Sequence, residues 1–391
     1  MTRTSTLSRT STTSRTGTTS RTGTTSRTGT TSRTGTTSRT GTTSRTGKAV
    51  LVLIALALVL TGCGSGGGSK DARGGGQTIT LYNGQHEQTT DGLVTAFEQQ
   101  TGITVNVQND DEDTLANLIA IQGSHSPADV IYTENSPALE FLQSKGLLAH
   151  VDQGTLAQVP GKYSSPQGDW VGVSARVSVI IYNPSMISRS QLPTSVLQLA
   201  NPEYKGKLAF AAGETDFQPI VTSVLKTYGQ AKTLAWLNGI KANAASHLVP
   251  DNETIADEVN RGIVAFGVIN QYYWYRLQYE VGASGMHSEL AYFAPRDPGY
   301  VIDVSGAAVL KSSTHQAAAQ RFLAFLVSKQ GQDIIARASS GEQSYEYPLA
   351  AGVTTSAPET PFGQLQPNPI SIADLGDGET AISLLRQVGL L

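Results

Sequence analysis

The sequence predicts an α/β fold, and three observations support this prediction. From Thr78 onward, short apolar runs alternate with stretches whose apolar residues recur at helical spacing. Glycines, prolines and small polar residues stand at the boundaries of these stretches, where strands and helices commonly end. The resulting order of strand, helix, strand and helix is typical of an α/β domain with a mostly parallel sheet.

Length and charge indicate how the chain is organised and which kinds of partner it could bind. The 329 residues from Cys63 to Leu391 are enough for a large core, which we expect to be split into two lobes. Cys63 is the single cysteine, so no disulfide forms within the chain. Residues 1–62 hold nine of the 28 basic residues and none of the 31 acidic ones, which leaves the remainder with a net charge of −12. This acidity disfavours nucleic acid as a partner and is compatible with attracting a cation.

The first 47 residues repeat Thr-Gly-Thr-Thr-Ser-Arg and offer almost no apolar side chain to bury, so we predict that residues 1–47 are disordered. We interpret them as an extended basic region ahead of a signal peptide, or as residues ahead of the true start. A Ser/Thr-rich stalk or adhesive arm is the alternative. Residues 48–62 follow as the signal-peptide core. Their twelve apolar residues from Ala49 to Leu60 are too few for a membrane-spanning helix, which needs about 20.

Leu60-Thr61-Gly62-Cys63 resembles the bacterial lipobox, in which small residues precede a cysteine that is lipidated. We therefore predict that Cys63 anchors the mature chain to the outer side of the cell membrane. Residues 63–76, rich in Gly and Ser, would be a flexible tether. A buried or free cysteine beside a signal anchor is the alternative interpretation.

The pattern of apolar residues predicts the elements in order. In the first half we expect strands at 78–82, 103–107 and 129–132, a helix that buries Leu93, Val94 and Phe97 and stops at Gly102, a helix closed by Gly123, and a helix with Pro137 in its first turn. In the second half we expect strands at 177–182, 208–211, 263–269 and 304–310, and helices through 221–225, 231–240, 255–259 and 316–329. The strand at 177–182 is the candidate for a crossing between lobes.

Two tyrosines, Tyr272 and Tyr273, follow the apolar strand at 263–269. Phenolate oxygen is a hard anionic donor that suits hard, highly charged cations. Because a free tyrosine ionises near pH ~10, a divalent ion rarely recruits two of them, whereas ferric iron is acidic enough to do so. Taken alone, the pair could equally be aromatic packing at a half-buried position.

His86 and Glu134 have the same position relative to a strand as the tyrosines, since each lies shortly after a predicted buried strand. Ligands of open α/β sheets bind beyond the carboxyl ends of the strands. One neutral imidazole, one carboxylate and two phenolates carry three negative charges, which would neutralise a ferric ion. The alternatives are a surface histidine and a glutamate that favours a helix start.

These residues lie within segments that resemble a known family. The segments 82–86, 126–134 and 270–274, together with 296–299 and 305–313, look like the signature segments of the ferric-ion-binding periplasmic proteins, also called bacterial transferrins, which are the substrate-binding components of iron ABC importers. The similarity extends from about Thr78 to Leu391. It implies a type II periplasmic-binding-protein fold, in which two α/β lobes joined by crossover strands close on a ligand cleft.

The resemblance also implies ligands, lobes and partners. His86, Glu134, Tyr272 and Tyr273 would bind one ferric ion, and the chain would be a monomer that delivers it to a permease with its ATPase. Lobe 1 would comprise residues 77–177 and 303–353, and lobe 2 residues 178–302 and 354–391. Closure of the two lobes would complete the coordination.

In this family a synergistic anion, often phosphate, completes the coordination on the second lobe. By that pattern Gly213, Thr215, Asn252 and Asn270 are the tentative anion-binding residues, with phosphate or carbonate as the anion. The sequence departs from the pattern at the turn Gly213-Glu214-Thr215-Asp216, because either acidic residue would repel an anion. One of the two carboxylates could replace the anion or cap the following helix. Arg176 could pair with an anion, but we favour a structural salt bridge.

Three other functions compete with ferric transport. A non-haem ferric enzyme would need an open coordination position, and the sequence offers no second histidine near the tyrosines; we expect no catalysis. A relative of the same fold could bind a polyamine, thiamine or a phosphonate, and would then be indifferent to His86. An adhesive protein would depend on residues 1–47.

Overall fold

The computed structural model describes residues 77–336, 344–355 and 358–391. The repeat at 1–47, the signal-peptide core at 48–62, the lipidated Cys63 and the tether at 63–76 lie outside the described residues and stay predictions. In the part of the chain that is described, no helix is both long enough and apolar enough to cross a membrane.

Strands and helices alternate through most of the described chain. The strands are β1 (Thr78–Gly84), β2 (Thr104–Asn109), β3 (Val130–Thr133), β4 (Val171–Tyr182), β5 (Leu208–Ala209), β6 (Phe266–Asn270), β7 (Glu289–Ala291), β8 (Ile302–Val309) and β9 (Tyr347–Pro348). The helices are α1 (Glu87–Thr101), α2 (Glu112–Gln122), α3 (Ser136–Ser144), α4 (Gln153–Leu156), α5 (Phe217–Tyr228), α6 (Gln230–Ala244), α7 (Asn252–Asn260), α8 (Gln271–Val281), α9 (Gln316–Leu326), α10 (Lys329–Ala336), α11 (Ile372–Leu375) and α12 (Glu379–Gln387).

The described strands form a sheet in the order β2-β1-β3-β8-β4-β6-β5, with β7 and β9 also paired to β4. The prediction of a mostly parallel sheet is correct for β1, β2 and β3 and for the pair of β5 and β6, but wrong for the sheet as a whole. β8 runs antiparallel to both β3 and β4, and β6 runs antiparallel to β4. A buried strand reads as an apolar run in either direction, so the sequence pattern does not distinguish the two.

Strand β4 connects the two halves of the sheet. All twelve of its residues are buried. Residues up to Val177 pair with β8, and residues from Ser178 pair with β6. A strand that passes through both halves in this way fits the predicted crossing, although β4 begins six residues earlier than expected, at Val171. The exact ranges of the two lobes stay a prediction.

Two of the element boundaries that differ from the prediction have a clear local reason. The strand expected at 263–269 begins only at Phe266, because Gly262 has a φ of 71° and Ile263 N–H donates to the Glu258 carbonyl, which completes the C-terminal turn of α7. The helix expected at 316–329 ends at Leu326. There Ser328 Oγ accepts a hydrogen bond from Gly331 N–H and so starts α10 as a new helix.

Two glycines mark the ends of α1 and β1. Gly102, with a φ of 69°, terminates α1 as predicted. Gly84 ends β1 where the chain passes very close to α2: a Cβ at this position would lie 2.5 Å from Glu112 Cβ. Only glycine fits this approach, which brings the start of α2 against the end of β1.

Candidate metal centre

His86 and Glu134 follow two adjacent parallel strands. His86 comes two residues after β1 and is the N-cap residue of α1, while Glu134 follows β3 directly. Because β1 and β3 are parallel neighbours, their carboxyl ends lie side by side. His86 Nε2 and Glu134 Oε1 are 2.9 Å apart. His86 and Glu134 therefore lie close together in the structure, as the sequence predicted.

Tyr272 and Tyr273 lie in the first turn of α8, immediately beyond the end of β6. Both are buried, and their ring centroids are 4.2 Å apart. The sequence places them after the strand, and in the structure both phenol oxygens reach the same atom, Glu134 Oε1.

The oxygen Oε1 of Glu134 is the common contact of the other three predicted ligands, His86, Tyr272 and Tyr273. Tyr272 OH donates a hydrogen bond to it, and Tyr273 OH lies 3.4 Å from it. His86 Nε2 also lies 3.3 Å from Tyr272 OH. The structure thus brings together one imidazole, one carboxylate and two phenols that are far apart in sequence.

Asp216 is a fifth polar side chain at the same place. Its Oδ2 accepts hydrogen bonds from Tyr272 OH at 3.3 Å and from Asn252 Nδ2 at 3.0 Å, and its Oδ1 accepts from Asn135 Nδ2 at 3.0 Å. Asp216 is the N-cap residue of α5, but its side chain makes no capping bond. The two alternatives for this turn were a carboxylate that replaces the anion and one that caps the following helix. The Asp216 carboxylate does not cap α5 and points toward Tyr272, which favours the first. We call His86, Glu134, Asp216, Tyr272 and Tyr273 the donor cluster.

The four predicted anion-binding residues do not all lie at the same place in the structure. Asn252 contacts Asp216, and Asn270 lines a small cavity with both of them. Thr215 Oγ1 accepts a hydrogen bond from Asn135 Nδ2 at 3.1 Å. Gly213 is exposed, and a Cβ there would have the Leu391 side chain as its nearest neighbour. Asp216 therefore lies where these polar residues converge.

A second buried polar cluster adjoins the first. Arg176 Nη2 donates to Glu346 Oε1 at 2.7 Å, which confirms the structural salt bridge, and Ser174 Oγ donates to the other oxygen of Glu346. Gln85 Nε2 donates to Ser305 Oγ at 3.0 Å and to Glu346 Oε1 at 3.2 Å. We call Gln85, Ser174, Arg176, Ser305 and Glu346 the anchor network. The guanidinium of Arg176 lies 5.5 Å from the Tyr272 ring centroid, so the two clusters touch.

Burial and charge shift the pKa values of the donor cluster strongly. Burial, together with the charges of Asp216 and Glu134, raises the pKa of Tyr272 and of Tyr273 well above the ordinary value of 10.0. Burial and Glu134 raise the pKa of Asp216 to about 6. Burial alone would raise the pKa of Glu134, but the charge and hydrogen bond of His86 and the charge of Arg176 outweigh it, so that pKa lies below its ordinary value.

Each donor lies at the start of a helix. His86 and Asp216 are N-cap residues of α1 and α5, Glu134 precedes the N-cap of α3, and the tyrosines are in the first turn of α8. A helix N-terminus carries roughly half a positive charge and favours anionic groups nearby. The fold therefore surrounds the donors with four positive helix ends.

More than one cavity reaches the donors, and one of about 360 Å³ is lined by His86 and Glu134. A cavity of about 580 Å³ opens beside His86 and Tyr273 and is also lined by Glu253, Arg276 and Tyr345. Among the described residues, no group of three or more His, Cys, Asp or Glu could hold a metal ion. Such groups contain those four residue types alone, whereas two of the five side chains of the donor cluster are tyrosines.

Sequence reasoning missed Glu112 and Asn135, and left the role of Asp216 open. Glu112 accepts hydrogen bonds from Asn135 N–H at 2.8 Å and from Asn135 Nδ2 at 3.1 Å, and its buried carboxyl has a raised pKa because of burial and the nearby Glu134. Asn135 directly follows Glu134, which is the one sequence signal that could have indicated it. Glu112 resembles an ordinary acidic residue in a helix's first turn.

The fold and the donor cluster together define a class: extracytoplasmic solute-binding proteins of the type II architecture, with a polar site at the carboxyl ends of strands. A sequence profile of the family described as bacterial extracellular solute-binding protein matches residues 125–361. The chain belongs to this family.

Relatives within the family cover most of the chain. The Fe(3+)-binding periplasmic protein of Serratia marcescens is 38% identical over 315 residues, which are 81% of this chain and 91% of that protein. The major ferric iron-binding protein of Neisseria meningitidis is 36% identical over 314 residues, which are 80% of this chain and 93% of that protein.

Solved structures give the same result. Iron-bound HitA from Pseudomonas aeruginosa superposes with a TM-score of 0.76 and is 42% identical, over 80% of this chain and 99% of that one. Trichodesmium IdiA (FutA), in complex with iron and citrate, gives a TM-score of 0.68 at 29% identity, over 80% of this chain and 99% of that one.

Proposed function

We propose that this chain is the extracytoplasmic substrate-binding component of an ABC transporter that captures ferric iron and delivers it to a membrane permease and its ATPase. His86, Glu134, Tyr272 and Tyr273 are the proposed ligands. The relatives described above are named as iron-binding proteins, which supports binding as the function and gives no support to catalysis.

The observation that carries the proposal is the convergence of these four side chains on Glu134 Oε1. The hydrogen bonds among them hold the donors at mutual distances at which one cation can replace the shared protons. Two phenolates and a carboxylate supply three negative charges, and hard oxygen donors of this kind suit a hard trivalent cation. Binding displaces the phenolic protons, as metal binding to protonated ligands requires.

Asp216 adds a fifth candidate ligand to the proposal, because its carboxylate lies next to Tyr272 at the place proposed for an external anion. We infer that Asp216 supplies the oxygen that phosphate or carbonate would otherwise provide. Asn252 and Asn135 orient this carboxylate through hydrogen bonds to its two oxygens. A protein carboxylate in this position makes capture independent of the anions in the medium.

Capture and release follow from where the donors lie. His86 and Glu134 belong to the proposed lobe 1, and Asp216, Tyr272 and Tyr273 belong to the proposed lobe 2. Strand β4, whose pairing changes after Val177, is the proposed hinge, and an opening there separates the two donor sets. Lipidation at Cys63 would keep the chain, as a monomer, beside its permease.

The test is a visible absorption spectrum of the purified full chain, titrated with ferric nitrilotriacetate. We expect a tyrosinate-to-iron charge-transfer band that saturates at one iron per chain. Tyr272→Phe and Tyr273→Phe should each lower ferric affinity by more than about 100-fold, since loss of even an outer partner of a metal ligand costs 10–100-fold. Tyr279→Phe is the matched control, because Tyr279 lies on the same helix and is exposed.

A colourless chain that binds no ferric iron would refute the proposal. The same cleft would then be screened with organic cations and phosphonates, for which His86→Ala should have little effect. Equal losses in Tyr279→Phe and Tyr272→Phe would mean that the aromatic helix is needed for folding and does not bind metal.

A further inference from the structure

A buried glutamine directly precedes two of the ligand-bearing segments, one in each proposed lobe. Gln85 precedes His86, and Gln271 precedes Tyr272 and Tyr273. Their exposed fractions are 3% and 1%. A glutamine this deeply buried has to satisfy both ends of its amide, so its contacts constrain the backbone beside it.

Gln85 connects the His86 backbone to the anchor network. Its Oε1 accepts a hydrogen bond from His86 N–H at 2.8 Å, while its Nε2 donates to Glu346 and Ser305. The main chain of Gln85 is held in turn by the side chain of Asn83, which donates to the Gln85 carbonyl at 2.6 Å. The peptide that carries His86 is thereby fixed to Glu346.

Gln271 makes the equivalent connection on the tyrosine side. Its Oε1 accepts a hydrogen bond from Val177 N–H at 2.8 Å, at the point where β4 changes its partner strand. Its Nε2 donates to the Tyr345 carbonyl at 3.1 Å and to Glu359 Oε2 at 3.3 Å. The start of α8 is thereby fixed to β4 and to Tyr345.

Both glutamines reach the same short segment, Ser344–Tyr347. Gln271 contacts its residue Tyr345, and Gln85 contacts the next residue, Glu346. Tyr345 has a φ of 53°, a left-handed conformation that a tyrosine adopts only when its surroundings impose it. Tyr347 pairs with Ala175 of β4, so the segment is itself attached to the proposed hinge strand.

We propose that Gln85 and Gln271 are positioning residues that tie the two halves of the metal site to one shared anchor, the Ser344–Tyr347 segment. Neither glutamine touches the metal. Each sets the backbone from which the ligands project, and the anchor holds the two backbones in one register. The donors from the two proposed lobes are therefore held in place by the Ser344–Tyr347 segment as well as by the metal.

This inference rests on the proposed ferric function and adds residues to it. Preorganised ligands bind more tightly because less ordering is required on binding, and outer partners of metal ligands act in this way. The long separations in sequence, 261 residues between Gln85 and Glu346 and 74 between Gln271 and Tyr345, mean that the links form only in the folded protein.

The experiment measures ferric affinity of the full chain by competition with citrate, together with the position of the charge-transfer band. Gln85→Met and Gln271→Met keep the side-chain length and remove both polar groups. We expect each to weaken ferric binding about tenfold or more and to shift the band, because the ligand geometry changes. Gln99→Met is the control: Gln99 is exposed near the end of α1, and its variant should match the wild type.

A double-mutant cycle separates positioning from general destabilisation. If Gln85 acts through His86, then Gln85→Met should add less than about threefold in a His86→Ala background. A full additional loss in that background would overturn the positioning role of Gln85. Gln271→Asn, which keeps the amide but shortens its reach, is the second variant if Gln271→Met fails to fold, and it should also bind more weakly.

The outcomes distinguish the two proposals. A wild-type chain that binds no ferric iron refutes the proposed function. A wild-type chain that binds iron, with Gln85→Met and Gln271→Asn at unchanged affinity and band position, overturns the positioning role and leaves the function intact.

Discussion

The donor cluster and the anchor network are two buried polar clusters in contact with each other, and their charges are arranged in opposite ways. In the anchor network, one arginine faces one glutamate, and neutral donors satisfy the remaining acceptors. In the donor cluster, Glu134 and Asp216 face two phenols and one imidazole, with no lysine or arginine hydrogen-bonded to either carboxylate in the described structure.

The difference separates a structural cluster from a binding cluster. Burying a charge is unfavourable unless it is paired, so a matched cluster stabilises one geometry. A buried excess of acidic and phenolic groups lowers its free energy when a cation arrives. The anchor network thus fixes positions, whereas the donor cluster is ready to receive a charge.

The first prediction tests the donor cluster through pH and has the largest expected effect. Both tyrosines have a pKa above 10.0, so both are protonated near neutrality, and ferric binding releases two protons. Apparent affinity should therefore rise at least about 100-fold for each unit of pH, or at least about 10,000-fold from pH 5 to pH 7, and more steeply below about pH 6, where Asp216 must also lose its proton. Competition against a chelator of known pH dependence measures this slope.

A slope of zero over that range would show that the phenols are not ligands. The slope in Tyr273→Phe serves as an internal control, since removal of one phenol should reduce it by about one proton.

The second prediction breaks the anchor network. Arg176→Met leaves Glu346 buried without its cationic partner, which should lower the free energy of unfolding by about 3–5 kcal/mol. Urea denaturation of the metal-free chain measures the loss. The matched control is Arg261→Met, which removes an exposed ion pair with Asp257 and should change stability by less than about 1 kcal/mol.

If both arginine variants had similar small effects, the ion pair between Arg176 and Glu346 would not stabilise the fold, and the contrast between the two clusters would disappear.

The third prediction makes the donor cluster less acidic and has the smallest expected effect. Asp216→Asn keeps the side-chain shape but removes the charge, so ferric affinity should fall about tenfold in a medium without phosphate or carbonate. Added phosphate should restore part of the affinity in the variant and have little effect on the wild type. The comparison is made by titration in matched buffers with and without phosphate.

A wild-type chain whose ferric affinity itself depends on phosphate would contradict the role of Asp216. The anion would then occupy the position inferred here for the carboxylate.

The sequence was sufficient for the element order and for the main donors. Apolar runs predicted most strands, and Gly102 and Pro137 marked helix boundaries correctly, because these signals are local. The donors could be found because each follows a strand; for His86 and Glu134 the two strands are parallel neighbours whose carboxyl ends meet in space, whereas the tyrosines follow β6 in the other half of the sheet. The antiparallel direction of β8 could not be found, since direction leaves no trace in a run of buried residues.

Hydrogen bonds between side chains that are far apart along the chain could not be predicted from the sequence. Asp216 could be a helix cap or a ligand, and only its contact with Tyr272 decides where its side chain points. Gln85 and Gln271 looked like polar residues that end a strand. Their shared attachment to Ser344–Tyr347 depends on how distant segments pack, which periodicity does not report.

The four helix starts around the donor cluster have a consequence for repeated use of the protein. Their positive ends stabilise the carboxylates of Glu134 and Asp216 even when no metal is bound. The empty protein therefore does not carry the full repulsion of its own anionic groups, although burial and Glu134 still raise the pKa of Asp216 to about 6. A transport protein must release its ion as readily as it binds it. This arrangement lets the same molecule begin another cycle after it has released its cargo.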